Sequence, residues 1–181
     1  MKEFSAGILI IYKNKLLLIH PTGNSWQGSY GYPKGRIDAG ETPWETALRE
    51  TEEEIGIRIP ERLLSKAPHE LNYIVKKKNA KIYKTSYYFI CKIENLSDIG
   101  LDSEVVPKNQ LQLEEVDWAG FVDYKEAKRR LGKVFQPLLK YYDTNESYVS
   151  DMPIAVPVSG KRGYIETYEE FINKTKKQKN K

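Results

Sequence analysis

The chain has 181 residues, of which 40% are hydrophobic and 30% are charged, and this length can bury one domain core with an appendage. Five lysines lie in the last eight residues, and without them the formal net charge falls from +4 to −1. The nearly neutral body gives no reason to expect DNA binding, and its longest apolar runs are far shorter than the ~20 residues that span a bilayer.

The cysteine content and the first residues bear on the compartment. Cys91 is the only cysteine, so an intrachain disulfide is impossible and a CxxC metal site is absent. The N-terminal residues lack the basic and apolar regions and the cleavage site of a secretory signal. We therefore expect a reducing, cytoplasmic setting and no membrane partner.

The sequence predicts strands on both sides of one long helix, Pro43–Ile55. Apolar and β-branched runs predict the strands Ala6–Tyr12, Leu16–Ile19, Leu71–Lys76, Thr85–Ile93 and Val116–Val122. A hairpin turn is expected at Lys13–Lys15, and a long turn is expected around Lys76–Lys81. Helical patterns then follow over Tyr124–Leu131 and Phe135–Tyr142. This mixed order indicates an α/β domain.

The composition changes at about residue 143, where we place the end of a domain over 1–142 and the start of an extension over 143–181. Asp151–Gly163 is rich in Pro and Gly and is expected to be irregular. Apolar spacing predicts a helix over Ile165–Thr175, and the lysine-rich end is expected to be solvated and disordered. The extension can serve a partner contact or a dimer, so the oligomeric state stays open.

The most informative stretch is residues 35–57, which read GRIDAGETPWETALRETEEEIGI. Thr42 as N-cap, Pro43 in the first turn and Glu45 in a capping box predict where the helix begins, and Gly56 predicts where it ends. One face of this helix is apolar and carries Trp44, Leu48, Thr51 and Ile55. The helix is therefore amphipathic.

Three carboxylates crowd another edge of the same helix, those of Glu50, Glu53 and Glu54. Like charges at this spacing cost roughly 0.2–0.5 kcal/mol per pair unless cations neutralise them. Hard divalent cations prefer oxygen ligands, so the cluster predicts a phosphate-associated site for Mg²⁺, with Mn²⁺ as the alternative. A solvated acidic helix face is the competing interpretation, and Gly35, Glu41 and Gly56 at fixed distances weigh against it.

A glycine-punctuated loop, residues 30–35, delivers Lys34 beside the helix entry. Its ammonium group can contact substrate phosphate as a point charge, and Gly35 permits close backbone approach to a metal or a phosphate. The alternative for Lys34 is an exposed loop lysine without a ligand. His20 and His69 are isolated in the sequence, and we expect loop or surface positions for both.

Taken together, the residues of this stretch resemble the complete Nudix box, with Thr51 at a position where an aliphatic residue is usual. The resemblance implies an α/β/α sandwich with a mixed sheet and one catalytic helix, in an enzyme that hydrolyses phosphoric anhydrides. It also implies that Glu53 and Glu54 are the central catalytic pair and that the carbonyl of Gly35 is a metal ligand. Arg49 would then orient a carboxylate through a salt bridge.

Outside the box, the segment from Glu70 to Tyr73 resembles the asymmetric diadenosine tetraphosphate hydrolases, and Tyr73 follows Ile57 by sixteen residues as in that group. The longer turn after Tyr73 is one departure. The loop over residues 110–115 is another, because it leaves Glu114 or Glu115 as the distal base. Tyr73 and Tyr88 are candidates for substrate contact, with core packing as the alternative and the slightly better one for Tyr88.

The resulting hypothesis is a magnesium-dependent pyrophosphohydrolase that cuts diadenosine tetraphosphate to ATP and AMP. Glu50, Glu53, Glu54 or a distal acid would take the proton from the attacking water. A pyrophosphohydrolase of RNA 5′ ends is a second possibility, favoured by the basic tail, and another nucleoside-diphosphate-linked substrate is a third. A catalytically silent nucleotide sensor belongs to a different class and is disfavoured, because all the metal-binding glutamates are present.

Overall fold

The computed structural model describes residues 1–77 and 80–142, which form one mixed sheet with helices on both of its faces. The strands are β1 Lys2–Tyr12, β2 Lys15–Pro21, β3 Lys34–Arg36, β4 His69–Lys77, β5 Ala80–Ile93 and β6 Val116–Asp123. The helices are α1 Pro43–Ile55 and α2 Tyr124–Arg130. The strand order is β4-β5-β1-β2-β6, with β3 paired to β1. Strands β1 and β5 are parallel and the other pairs are antiparallel.

Each face of the sheet carries its own apolar core. Residues of α1 such as Ala47 and Ile55 pack on one face, where Trp44 meets the ring of Phe89 edge-on. The opposite face is covered by α2 and by a 3₁₀ helix over Lys133–Tyr141. The predicted α/β/α sandwich with a mixed sheet is therefore confirmed.

Strands β1 and β2 diverge, and the chain that leads into β3 fills the space between them. The hairpin pairs only near its turn, where Ile11 faces Leu16. Farther along, Ile19 exchanges two backbone hydrogen bonds with Gly31, and the amide of Ile8 donates to the carbonyl of Pro33. The segment thus passes through the middle of the sheet and delivers β3 to the side on which α1 lies.

The predicted long turn at Lys76–Lys81 is wrong, because β4 and β5 continue to pair through most of it. Their register runs from His69 opposite Tyr88 out to Lys77 opposite Ala80. Lysines indicated a turn by their charge, but at an exposed edge of a sheet they are compatible with strand pairing. Most of the segment that was predicted as a turn therefore belongs to the β4–β5 hairpin.

The predicted helix over Phe135–Tyr142 is instead a 3₁₀ helix over Lys133–Tyr141. Pro137 lies inside it and lacks the N–H that an α-helix would use at that position. The three-residue strand β3 was not predicted, since it is too short to show a periodic pattern. The extension over 143–181, with its predicted helix and tail, lies outside the described residues.

Two features of the structure concern a membrane-spanning helix and the state of Cys91. In the described part of the chain, no helix has the length and apolar character needed to cross a membrane. Cys91 is a free, buried cysteine on β5, and burial raises the pKa of its thiol to about 12.

Candidate active site

Helix α1 begins and ends at the residues that its capping signals indicate. The side chain of Thr42 accepts a hydrogen bond from the amide of Glu45, whose carboxylate accepts one from the amide of Thr42 at 2.8 Å. Pro43 lies in the first turn, and Gly56 ends the helix with a φ of 67°. These limits decide which carboxylates of α1 face β3.

Strand β3 brings the predicted phosphate-binding lysine against the carboxylate edge of α1. The backbone N–H of Lys34 donates a hydrogen bond to the carboxylate of Glu54 at 2.9 Å. At Gly35, a Cβ atom would overlap the carboxyl group of Glu50. The structure therefore gathers Lys34, Gly35, Glu50 and Glu54, which the sequence placed in a single site.

Substitution of Gly35 by alanine tests this close approach. The overlapping atoms belong to the flexible end of Glu50, so the fold should survive while the carboxylate is displaced. We expect a fall in kcat/KM of about 100-fold, which is the penalty that a displacement of about 1 Å can impose on a catalytic group. Steady-state hydrolysis and thermal melting of the same sample measure the two effects.

Gly132→Ala is the matched control, because its added Cβ would meet no atom closer than 3.5 Å and its φ is not positive. This variant should keep both its activity and its melting temperature. Equal activity of the Gly35→Ala and Gly132→Ala variants would contradict a functional role for the contact between Gly35 and Glu50.

Arg49 lies at the centre of the carboxylate network. Its Nε and Nη2 atoms donate to the two oxygens of Glu41 at 2.8 and 2.9 Å. Its Nη1 atom donates to Glu50 at 2.7 Å and to Glu53 at 3.0 Å, and Nη2 also reaches the carbonyl of Arg36 at 3.1 Å. The rigid fork of a guanidinium suits several oriented carboxylates, so Arg49 positions the acidic residues of the site.

Glu41 is a positioning residue that was not predicted among the site residues. Besides binding Arg49, its carboxylate accepts a hydrogen bond from the hydroxyl of Thr46 at 2.7 Å. The guanidinium of Arg49 holds the pKa of Glu41 down at about 2, so this group stays ionised near neutral pH. Its place six residues after Gly35 in the motif was the available signal.

Of the carboxylates nearest β3, that of Glu54 is buried and that of Glu50 is partly buried. Burial raises the pKa of Glu54 to about 8, and the charges of Glu50 and Glu115 act in the same direction against Lys34. Burial also raises the pKa of Glu50, although its pairing with Arg49 opposes this. The site therefore brings together two carboxylates whose ionised form is disfavoured by burial.

The donor set fits a hard divalent cation. The side chains of Glu50, Glu53 and Glu54, together with the carbonyl of Gly35, offer only oxygen ligands, which Mg²⁺ and Mn²⁺ prefer. In residues 1–77 and 80–142, no group of three or more His, Cys, Asp or Glu side chains is assembled to hold a metal ion. Here Arg49 binds Glu50 and Glu53, so the guanidinium orients these two carboxylates, while the amide of Lys34 holds that of Glu54.

Of the two predicted distal acids, Glu115 lies within electrostatic range of the buried carboxylates. Next to burial, its negative charge contributes to the raised pKa values of Glu50 and Glu54. Its loop is tied to the end of α1, because the amide of Gln112 donates to the carbonyl of Glu54 at 3.0 Å. Glu114 and Glu115 are both exposed. The electrostatic interaction of Glu115 with Glu50 and Glu54 therefore favours Glu115 over Glu114 as the distal acid.

The two tyrosine candidates occupy different environments on the face of the sheet opposite α1. Tyr73 is partly buried on β4, opposite Lys84 of β5. Tyr88 is fully buried, with its ring centroid 5.7 Å from that of Tyr32 and 6.5 Å from that of Phe135. The geometry corrects the assignment of Tyr88 to substrate contact, because core packing encloses its ring, and leaves Tyr73 as the candidate.

The surface positions expected for the two histidines are wrong. His20 is 1% exposed, with Nδ1 2.5 Å from a carboxylate oxygen of Asp117. His69 is buried against the ring of Tyr141, at a centroid distance of 4.0 Å. Both residues lie on strands, and their burial depends on partners distant in sequence, which a search for local patterns does not detect.

Comparisons with known proteins agree with this arrangement. The family model described as the NUDIX domain matches residues 1–139. The chain belongs to the NUDIX domain family. The solved structure of the Caenorhabditis elegans Ap4A hydrolase in a binary complex shares the Nudix fold, with a TM-score of 0.52, 20% identity, and coverage of 77% of this chain and 94% of that chain.

Two groups of Nudix relatives are similar in sequence. The asymmetrical bis(5′-nucleosyl)-tetraphosphatase of Mus musculus is 36% identical over 101 residues, which cover 55% of this chain and 65% of that protein. The RNA pyrophosphohydrolase of a Nitratiruptor species is 35% identical over 108 residues, with 57% and 61% covered. The matches span less than two-thirds of either relative, so the substrate has to be argued from the site.

Proposed function

We propose that this Nudix protein is a pyrophosphohydrolase of nucleoside polyphosphates and that it splits diadenosine tetraphosphate into ATP and AMP. The observation that carries the proposal is the carboxylate edge of α1, with Glu50 and Glu54 beside Lys34 and Gly35 of β3. This arrangement brings together a lysine, a glycine that permits close backbone approach, and oxygen ligands. A substrate phosphate chain needs all three.

A polyphosphate chain carries several negative charges that repel both a nucleophile and the carboxylates of the site. A divalent ion held by Glu50, Glu53, Glu54 and the Gly35 carbonyl would neutralise phosphate oxygens and make a bound water more acidic. We favour Mg²⁺ and accept Mn²⁺ as an alternative. Lys34 would bind a phosphate oxygen as a point charge.

In the proposed reaction, a water oxygen forms a bond to one phosphorus while the bridging P–O bond breaks. The charge released on the bridging oxygen leaves with the ATP or the AMP product. The proton of the water passes to a carboxylate, for which Glu53, Glu54 and Glu115 are the candidates. Arg49 and Glu41 do not touch the reacting atoms, since they hold each other and the neighbouring carboxylates.

Two observations support a dinucleoside substrate. Of the two tyrosine candidates, Tyr73 is the one that is partly exposed. It lies on β4, which pairs with β5. The relatives from mouse and rat, with 36% and 38% identity, are both named asymmetrical bis(5′-nucleosyl)-tetraphosphatases.

Product chromatography tests the proposal most directly. We expect diadenosine tetraphosphate with Mg²⁺ to give ATP and AMP in equal amounts. We also expect kcat/KM at least ten times that for nucleoside triphosphates, nucleoside diphosphate sugars or 5′-triphosphorylated RNA. Hydrolysis in H₂¹⁸O identifies the attacked phosphorus. Two molecules of ADP as the products would contradict asymmetric cleavage.

Removal of pyrophosphate from RNA 5′ ends is the second candidate, and a specific feature favours it. Lys76 and Lys81 lie directly opposite each other on β4 and β5, where like charges destabilise a strand pair unless a polyanion compensates them. Relatives of this chain also bear the name RNA pyrophosphohydrolase. Release of pyrophosphate from triphosphorylated RNA, faster than cleavage of the dinucleotide, would establish this function instead.

A nucleotide sensor without catalysis is the remaining alternative. It would bind members of the substrate panel in calorimetry but would convert none of them in the presence of Mg²⁺ or Mn²⁺. That result would overturn the proposed activity and would leave the Nudix fold of the chain unaffected.

A further inference from the structure

An exposed tryptophan lies flat on a buried histidine at the edge of the site. The rings of Trp26 and His20 stack with centroids 3.9 Å apart and an interplanar angle of 3°. His20 is 1% exposed, whereas Trp26 is 57% exposed. Tyr30 meets both rings at tilted angles. We call these three residues, His20, Trp26 and Tyr30, the Trp26 platform.

Polar contacts hold the His20 ring of the Trp26 platform in place. Nδ1 of His20 lies 2.5 Å from the Asp117 carboxylate, and Nε2 lies 3.2 Å from the carbonyl of Ser25. Both partners are oxygen acceptors, and the two contacts fix the plane of the imidazole ring. The contact with Ser25 also fixes the backbone next to Trp26.

Tyr30 of the platform is held in turn by contacts with Trp118 and Arg130. Tyr30 meets the ring of Trp118 edge-on at 5.7 Å, and the guanidinium of Arg130 lies over the rings of Tyr30 and Trp118 at 5.2 and 5.5 Å. The amide of Tyr30 donates a hydrogen bond to the carbonyl of Arg130. The inner face of Trp26 covers His20. Trp26 is 57% exposed in the described part of the chain, so its outer face is an oriented aromatic surface open to a ligand there.

Hydrogen bonds connect the loop that carries Trp26 to the backbone of the loop that carries Glu115. The amide of Thr22 donates to the carbonyl of Glu115 at 2.9 Å, and its hydroxyl donates to the carbonyl of Leu113 at 2.8 Å. The loop of Leu113 and Glu115 in turn reaches the end of α1 through the amide of Gln112, which donates to the carbonyl of Glu54. The segment that carries Trp26 is thus tied, through the loop of Glu115, to the end of α1 at Glu54.

We infer that the outer face of Trp26 stacks a nucleobase of the substrate whose phosphate chain lies at Glu54. The inference rests on the proposed function, which places the phosphate chain at Glu54. It adds a binding subsite for a nucleobase on the β2 side of the site. An aromatic ring accepts the π-face of any base, with a purine offering the larger area. Tyr73, on β4, is separated from this subsite by β5 and β1 in the sheet, so the two can serve different nucleosides.

Kinetics of Trp26→Ala and Trp26→Phe test the subsite. Loss of the stacking surface should raise KM for diadenosine tetraphosphate about 10-fold and leave kcat within about twofold, in line with the cost of removing one stacked base. Phenylalanine keeps a flat ring and should hold KM within about threefold of the wild type. Tyr83→Ala removes another exposed aromatic, on β5, and should change neither constant.

Tryptophan fluorescence gives a readout that does not require hydrolysis. AMP should quench the fluorescence of the wild-type protein and of the Trp44→Phe variant, because Trp44 packs against the core under α1. It should not quench the fluorescence of the Trp26→Phe variant. Ribose 5-phosphate has the same sugar and phosphate without a base, and it should quench none of them. Melting temperatures of the variants separate loss of a ligand contact from loss of the fold.

The outcomes distinguish the subsite from the proposed function. Quenching by AMP that depends on Trp26, in a protein that hydrolyses no member of the panel, would support the subsite and overturn the activity. Hydrolysis of the dinucleotide with an unchanged KM in Trp26→Ala, and quenching that persists in Trp26→Phe, would overturn the subsite alone. An absence of quenching in the wild type, as when another segment of the chain covers Trp26, would also overturn it.

Discussion

Replacement of Glu53 by glutamine is expected to lower kcat by on the order of 10³-fold with little change in stability, a loss within the range that positioned acid–base groups contribute. The side chain of Glu53 is 54% exposed and binds only Arg49 among the contacts described for it. Its removal therefore leaves no buried group unpaired. The amide keeps the size of the side chain and loses the charge that would attract a divalent ion or accept a proton.

Glu52→Gln is the matched control, because it changes the adjacent residue of the same helix from the same acid to the same amide. Glu52 is exposed, on a side of α1 where it pairs with Arg58 and not with Arg49. This variant should keep its kcat within about twofold, since Glu52 forms an exposed pair with Arg58 that solvent screens. Both variants should melt within a few degrees of the wild type. Full activity of Glu53→Gln would refute the catalytic assignment of this helix edge.

Helix α1 shows what local sequence can predict. Its limits follow from Thr42, Pro43 and Gly56, whose effects on the backbone act within one turn, and the structure places both ends at the predicted residues. The apolar face follows from the helical period for the same reason. The motif also placed Glu50, Glu53 and Glu54 on one edge, because residues three and four apart are neighbours on a helix.

The different environments of those three glutamates could not be predicted from the helix alone. Glu54 is 6% exposed because β3 crosses its end and donates the Lys34 amide, whereas Glu53, one residue earlier, points toward solvent. Strand β3 has three residues and exists only because β1 and β2 diverge. The sequence shows neither the divergence nor the pairing.

The histidine at the end of β2 illustrates the same limit on the other side of the site. His20 is buried by a contact with Asp117, which is 97 residues away, and by Trp26 in a loop without regular structure. The continuous apolar run of β2 does predict a buried strand. It does not tell which polar side chain of that strand finds a partner across the sheet.

The second large effect concerns Glu54 and the pH dependence of stability in the metal-free protein. Its pKa is raised to about 8 in the folded state, first by burial, from an ordinary value of 4.5. Between these values the folded protein holds a proton that the unfolded chain has lost. Stability must therefore fall as pH rises through this window. Well above pH 8 the carboxylate is ionised in both states, and the loss is complete.

The window above pH 6.5 isolates this carboxylate best. His69, whose pKa burial lowers to about 4, gives a slope of opposite sign that ends near the ordinary histidine value of 6.5. From pH 6.5 to 8.5 we expect the chelator-treated wild type to lose about 2 kcal/mol of unfolding free energy. That loss corresponds to about 4–8 °C in melting temperature for a chain of this size.

Glu54→Gln should remove this slope, because the amide stays neutral and its oxygen can still accept the hydrogen bond from Lys34. The variant is expected to be more stable than the wild type at pH 8.5 and, at the same pH, to lose hydrolysis by on the order of 10³-fold. Added Mg²⁺ should restore the melting temperature of the wild type at pH 8.5, since a cation binds the ionised carboxylate, and should leave that of Glu54→Gln nearly unchanged. If the melting temperatures of the two proteins changed with pH in the same way across pH 6.5–8.5, the burial of Glu54 would carry no electrostatic cost. In that case its proximity to Glu50 would no longer be a reason to place a divalent ion between them.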